Sequence, residues 1–305
     1  MNGNISEQVI AHGELDLRDA CLGLEMIPMD IREKIGDPQK FQAPEVLDFL
    51  TRNSKIANIL HHNPANDAML QIVYYDKPSK SAMKQTFGVD RLLSRSLSGQ
   101  ALRDRLVVCG EWIAKNFVKP HGQIVDLGGG SSSYLFEALR TMEKLPEGFL
   151  WKTLDFDGDS LQVANQNAVL AGVEDHLETF AENFMSQKSF PTPKDQADFA
   201  VLIGVLCGMD KDTATRCLQK CKSHIKDGGQ ILAATLLDSS FTEDPLTFRL
   251  LCNVGGWQLR PKPMSDVKEV FDSAGWRIES VTSERRDEQG KEIPGQYAIV
   301  HATAL

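Results

Sequence analysis

Residues 123–139 read QIVDLGGGSSSYLFEAL. A short apolar run with an aspartate inside it meets three glycines and three serines, and a helical pattern follows. A glycine turn between a strand and a helix lets backbone N–H groups approach a ligand closely, because no Cβ intervenes. The helix N-terminus adds partial positive charge. Three ligand classes use this device, and spacing separates them. A phosphate-cradling P-loop needs GxxxxGK[ST], and no lysine follows Gly130. A dinucleotide turn needs GxGxxG; Gly128 and Gly130 supply two glycines, but Ser133 stands at the third position. The remaining class has a carboxylate two residues before the first glycine, as Asp126 stands before Gly128. That carboxylate repels a pyrophosphate and attracts a cation. A sulfonium with a free ammonium group fits the sign, so electrostatics favour S-adenosylmethionine over NAD.

Outward from this turn, short apolar runs alternate with helical stretches. The strands expected are QIVDL, FLWKTLDF, LETFAE, FAVLIGVL, GQILAATLL, WRIESVTSE and QYAIVHAT. Helices are expected over 131–144, 160–171, 211–224 and 265–274. Such alternation predicts an α/β fold: a seven-stranded, mostly parallel, doubly wound sheet. The last two strands are joined only by RRDEQGKEIPG, too short for a crossover helix, and should form an antiparallel C-terminal hairpin. Residues 1–120 read as an N-terminal helical cap, with helical patterns over 44–62 and 100–117 and Ser98 as a cap residue. The expected division is 1–120, a substrate cap or dimerisation region that allows a homodimer, and 121–305, the Rossmann-like domain.

Composition narrows the class. The 305 residues are 42% hydrophobic and 25% charged, as in an ordinary globular protein. A net charge of −9 opposes general attachment to nucleic acid. Arg91, Arg95, Arg103 and Arg105 read as a solvated helix face. No apolar run reaches membrane-spanning length. The first twenty residues lack the basic start and apolar centre of a signal peptide, so the expected location is cytoplasmic. Cysteines 21, 109, 207, 217, 221 and 252 show no metal-binding spacing and read as buried thiols; no metal is expected.

With IVDLGGGSS as its first motif, the chain resembles the class I S-adenosylmethionine-dependent methyltransferases from about Arg103 to Leu305. Ser132 stands where the family usually has a third glycine. The resemblance implies that Asp126, Gly128, Gly129, Gly130 and Ser132 form the cofactor loop. It implies that Asp155, in TLDFDGDSL, bonds the ribose hydroxyls and that Phe156 packs on the adenine. Asp157 and Asp159 read as helix-capping residues. After the third strand, Asn183 and Phe184 are the implied adenine contacts. After the fourth, Gly204 and Val205 line the cofactor. Small-molecule O-methyltransferases carry a catalytic histidine in this segment, and Cys207 is the nearest equivalent here, so no catalytic residue is assigned.

The histidines at 121, 224 and 301 read as structural, His224 as a cation at a helix end. The acceptor is expected to be a small molecule, contacted by the cap, including Tyr74 and Tyr75, and by the insert after strand five, with Asp238, Arg249, Trp257 and Arg260. Two alternatives stay open at this level: an NAD(P)-dependent oxidoreductase, and a non-catalytic protein that retains the S-adenosylmethionine pocket.

Overall fold

The computed structural model describes residues 27–305 apart from 38, 41–42, 63–66, 75–87, 143, 187–195, 255 and 288. Cys21 and Tyr75 lie outside the described residues, as does the side chain of Arg91. The helical region runs α1 (Met29–Gly36), α2 (Pro44–Asn53), α3 (Lys55–His62), α4 (Asp67–Tyr74), α5 (Gly88–Arg95) and α6 (Leu97–Asn116). Then follow β1 (Gln123–Leu127), α7 (Ser133–Arg140), β2 (Leu150–Asp155), α8 (Gly158–Ala171), β3 (Leu177–Ala181) and β4 (Ala197–Ile203). The chain continues through α9 (Lys211–Lys222), β5 (Ile225–Leu236), α10 (Ser240–Glu243), α11 (Pro245–Arg249), α12 (Met264–Ser273), β6 (Trp276–Thr282) and β7 (Tyr297–Ala304).

Two compact units result. The first holds residues up to Arg103 together with Ser239–Leu259; the second holds Asp104–Asp238 and Arg260–Leu305. The insert after β5 therefore groups with the N-terminal helices. Within the first unit, the single helix expected over 44–62 is two helices broken at Ser54. Asp90 is the cause: its carboxylate accepts from the Ser54 hydroxyl at 2.6 Å and from the Lys55 and Ile56 N–H groups at 2.9 and 3.0 Å. Those donors open α3, and a buried carboxylate satisfies them. The cap of α6 also differs from expectation. Ser96 Oγ accepts the Gly99 N–H at 3.0 Å, while the Ser98 N–H donates to Asp244 at 3.0 Å.

In the second unit the seven strands lie in the order β3-β2-β1-β4-β5-β7-β6. β1 through β5 pair in parallel; β7 runs antiparallel to both β5 and β6. The central strands are buried on both faces, whereas edge strands β3 and β6 show exposed positions. Helix α9 turns Ala214, Cys217, Leu218 and Cys221 inward at helical spacing. Burial raises the Cys221 thiol well above its ordinary value, so it stays protonated. The far part of α6 buries Leu106, Cys109, Ile113 and Phe117, and Phe117 stacks on Phe199 of β4 at 4.1 Å. Strand four, expected to run to Leu206, stops at Ile203, where Gly204 takes φ +84° and a 3-10 turn over Leu206–Gly208 begins. The carboxyl ends of β1, β2, β4 and β5 share one edge of the sheet, the edge at which open parallel sheets bind ligands. Among the described residues no helix is long and apolar enough to cross a membrane.

Candidate active site

The loop after β1 is built onto β2. Gly128 N–H donates to Leu154 O at 2.7 Å, carrying the ladder one step past Leu127. Gly128 has φ +73°, and a Cβ there would lie 2.7 Å from Val205 Cγ2, well inside the ~3.5 Å at which carbon atoms normally meet. Phe184 Cε1 is 3.9 Å from the same point. Gly128, Phe184 and Val205, drawn from three separated segments, therefore share one spot. Gly129 is a glycine for a different reason. A Cβ there would meet Asp126 Cγ and Oδ2 at 2.5 Å and Thr153 Cγ2 at 2.8 Å. The Asp126 carboxylate thus lies beneath the loop, 1% exposed.

Ser132 adopts φ +58°, the left-handed conformation that a glycine accepts without cost and an L-residue does not. It is fully buried, and its hydroxyl shares a 2.6 Å hydrogen bond with Thr153 Oγ1. That bond explains how a serine occupies the position of the third glycine. It also turns the Ser132 hydroxyl toward Thr153 of β2.

Asp155 ends β2. One carboxylate oxygen accepts the Gly130 N–H at 2.9 Å, and the other accepts the Asp157 N–H at 2.9 Å. Burial raises its pKa, and the backbone donors oppose that shift. With about four acceptor sites and the Phe156 N–H as a further backbone donor, the carboxylate keeps capacity for another donor. Phe156 stands 71% exposed beside it, an aromatic face open to a planar partner. Asp157 caps α8, accepting from the Asp159 and Ser160 N–H groups. Asn183 is exposed, and its side-chain oxygen accepts the Met185 N–H at 2.9 Å, a turn of the Asx kind.

Phe184 is fixed from behind. His224 Nε2 lies 3.3 Å from the Phe184 carbonyl, which requires the proton on that nitrogen. Burial lowers the His224 pKa from 6.5 to about 4, so the ring is neutral, and the cationic helix-end role expected for it is not realised. The consequence for stability has a definite sign. The unfolded chain takes up this proton near pH 6.5 and the folded chain only near 4. Stability is thus intact above 6.5 and falls as the pH drops toward 4. Urea titrations at stepped pH should show a weaker acid slope in His224→Phe than in the wild type. Equal slopes would remove this assignment.

On the other flank, the Cys207 thiol donates to Gly204 O at 2.7 Å, and burial raises its pKa. It holds the turn and is no base at neutral pH. Arg105, expected on a solvated face, is 3% exposed, and its guanidinium lies 4.5 Å from the Tyr297 ring centre. It also reaches within 3.8 Å of where a Gly204 Cβ would stand. Sequence reading missed both Arg105 and Thr153. Nothing local marks an arginine for burial when its partner stands at the start of β7. Asp238 is exposed just beyond β5, and Arg260 is exposed with a 3.3 Å ion pair to Asp210. His301 lies 3.1 Å from Gln230 within the sheet, a structural position.

The residues fit an adenosyl group bearing positive charge. The glycine backbone is bare, a carboxylate at the end of β2 has accepting capacity, an aromatic face stands open beside it, and a second carboxylate lies under the loop. No lysine stands among these residues to neutralise a pyrophosphate.

A family model described as the O-methyltransferase domain matches residues 84–277. No curated protein matches the chain. Among solved structures, a possible exported protein from Bordetella parapertussis has a TM-score of 0.66 at 14% identity, covering 96% of this chain and 99% of that one. The mitomycin 7-O-methyltransferase MmcR has a TM-score of 0.51 at 18% identity, covering 99% and 76%. Magnesium protoporphyrin IX methyltransferase from Synechocystis PCC 6803, with bound S-adenosylmethionine, has a TM-score of 0.54 at 9% identity, covering 82% and 98%. At these identities the likeness is one of fold.

Proposed function

Since the chain belongs to the O-methyltransferase domain family, within the class I S-adenosylmethionine-dependent methyltransferases, we propose that it methylates a small-molecule acceptor with the cofactor bound at the glycine loop. The observation that carries this reading is the link between Gly130 and Asp155. It brings the cofactor loop and an acceptor-rich carboxylate together at the carboxyl edge of the sheet. Asp155 would take the ribose hydroxyls, Phe156 the adenine face, and Gly128 with Val205 and Phe184 the adjoining wall. When bound, the cofactor supplies a methyl group already activated by its sulfonium. The protein's own contribution is to orient the donor and keep water from it. The buried side chain beneath the loop is an aspartate and not a cation, which suits a cationic donor better than a pyrophosphate and argues against the dinucleotide alternative.

The turn after β4 offers a protonated, hydrogen-bonded thiol where a base would stand. A base is needed when the nucleophile is a weakly acidic hydroxyl or a cationic amine. The Cys207 thiol does not supply that base. The acidic net charge supports a metabolite over a nucleic acid. The test is incubation with methyl-labelled S-adenosylmethionine and a fractionated cell extract. Label in the low-molecular-weight fraction is expected. Label confined to protein or nucleic acid would overturn the small-molecule reading.

A further inference from the structure

We propose that Lys262 is a positioning residue that sets the turn after β4, and through it the wall of the cofactor site. This rests on the methyltransferase reading above. Lys262 is 5% exposed, and its ammonium donates to three main-chain carbonyls: Leu206 at 2.8 Å, Met209 at 2.7 Å and Arg260 at 3.1 Å. An ammonium has three donors, so the three acceptors match its capacity. Two of them bracket the 3-10 turn over Leu206–Gly208. The carbonyl between them, that of Cys207, accepts the Arg260 N–H at 2.6 Å. Segment 260–262 therefore grips the turn at Leu206, Cys207 and Met209.

The grip is anchored on the sheet. Lys262 N–H donates to Leu236 O at 3.1 Å, and Asp238 N–H donates to Lys262 O at 3.2 Å, so its backbone extends the end of β5. A turn that has left the ladder at Gly204 is thus tied to the next strand by one buried cation. The residue entering that turn is Val205, whose Cγ2 packs against Gly128 of the cofactor loop. A buried ammonium is costly unless fully hydrogen-bonded. Burial lowers the Lys262 pKa, and its donors are aimed at three main-chain oxygens, a geometry that holds backbone. Without the ammonium the Met209 carbonyl loses this donor and the Leu206 carbonyl keeps only the Met209 N–H at 3.2 Å, so Val205 loses its fixed position against Gly128.

The test pairs calorimetric titration of S-adenosylhomocysteine with hydrogen exchange, on the full chain and on Lys262→Met and Lys262→Gln. In Lys262→Met the affinity is expected to fall roughly tenfold, the scale of removing a charged donor from carbonyls. Amides of 204–209 should exchange faster while those inside β4 and β5 keep their protection. Lys262→Gln retains two donors and should fall between. Wild-type affinity with an unchanged turn in Lys262→Met would overturn the proposal. So would an equal loss of protection across β4, β5 and the turn, which marks a general structural prop. Should Lys262→Met fail to fold, Lys262→Gln is read by the same criteria. A wild type that ignores S-adenosylhomocysteine would defeat the cofactor reading itself, while the exchange data would still decide whether Lys262 holds the turn.

Discussion

Replacing Asp155 with alanine is expected to weaken binding of S-adenosylhomocysteine by about 2–3 kcal/mol, roughly 30- to 150-fold. Two losses add. The variant removes a charged acceptor for vicinal hydroxyls, and it frees the Gly130 N–H that Asp155 now holds at 2.9 Å. The carboxylate is therefore a ligand group and a loop clasp together, and its removal costs more than either role alone. Calorimetry gives the affinity, and thermal melting shows whether the fold is intact. Unchanged affinity in a folded variant would remove the ribose assignment. The pH dependence follows from the raised pKa of Asp155. Binding uses the ionised form, so affinity holds above that pKa and falls on acidification through it, at a higher pH than for an ordinary aspartate. For the free protein the sign is opposite. Charging a buried carboxylate is unfavourable, so this group's contribution to stability is present at low pH and lost as the pH rises through the same range.

Gly129→Ala is the second large effect. Gly129 does not occupy the left-handed region, so alanine is not strained there by its own backbone. The whole consequence comes from contact: the new methyl would meet the Asp126 carboxylate at 2.5 Å and Thr153 at 2.8 Å. Asp126 and Thr153 face each other across paired strands β1 and β2, and neither is free to retreat. Overpacking of this kind costs about 1–3 kcal/mol. The loop must lift, which separates Gly130 from Asp155, so affinity for S-adenosylhomocysteine should fall with stability. Gly158→Ala is the control. An added methyl meets nothing within 4 Å there, and near wild-type behaviour is expected. Equal melting temperatures for Gly129→Ala and the wild type would show that the loop rests on Asp126 less tightly than its geometry states.

Much of this was legible in the sequence because it is local. A buried parallel strand reads as a short apolar run, and β1 was expected to within its end residues. The glycine turn and the antiparallel C-terminal pair follow from spacing, whereas the carboxylate ending β2 was singled out by the family resemblance. What was not legible depends on distant partners. Ser54 breaks a continuous helical pattern because Asp90, far along the chain, caps the next helix. Ser132 replaces a glycine in the left-handed region because Thr153 on the neighbouring strand holds its hydroxyl. Arg105 is buried against Tyr297, and Lys262 is spent on carbonyls of the turn after β4. In each case a contact far along the chain decides the residue's place. His224 shows the same limit: a helix-end position suggested a cation, and burial beneath Phe184 made it neutral.

The most direct test of the central claim is a pair of calorimetric titrations of the purified wild-type chain, one with S-adenosylhomocysteine and one with NADH. Saturable heat with the first and none with the second is the expected result. Saturable binding of NADH by a folded sample that gives no heat with S-adenosylhomocysteine would contradict it.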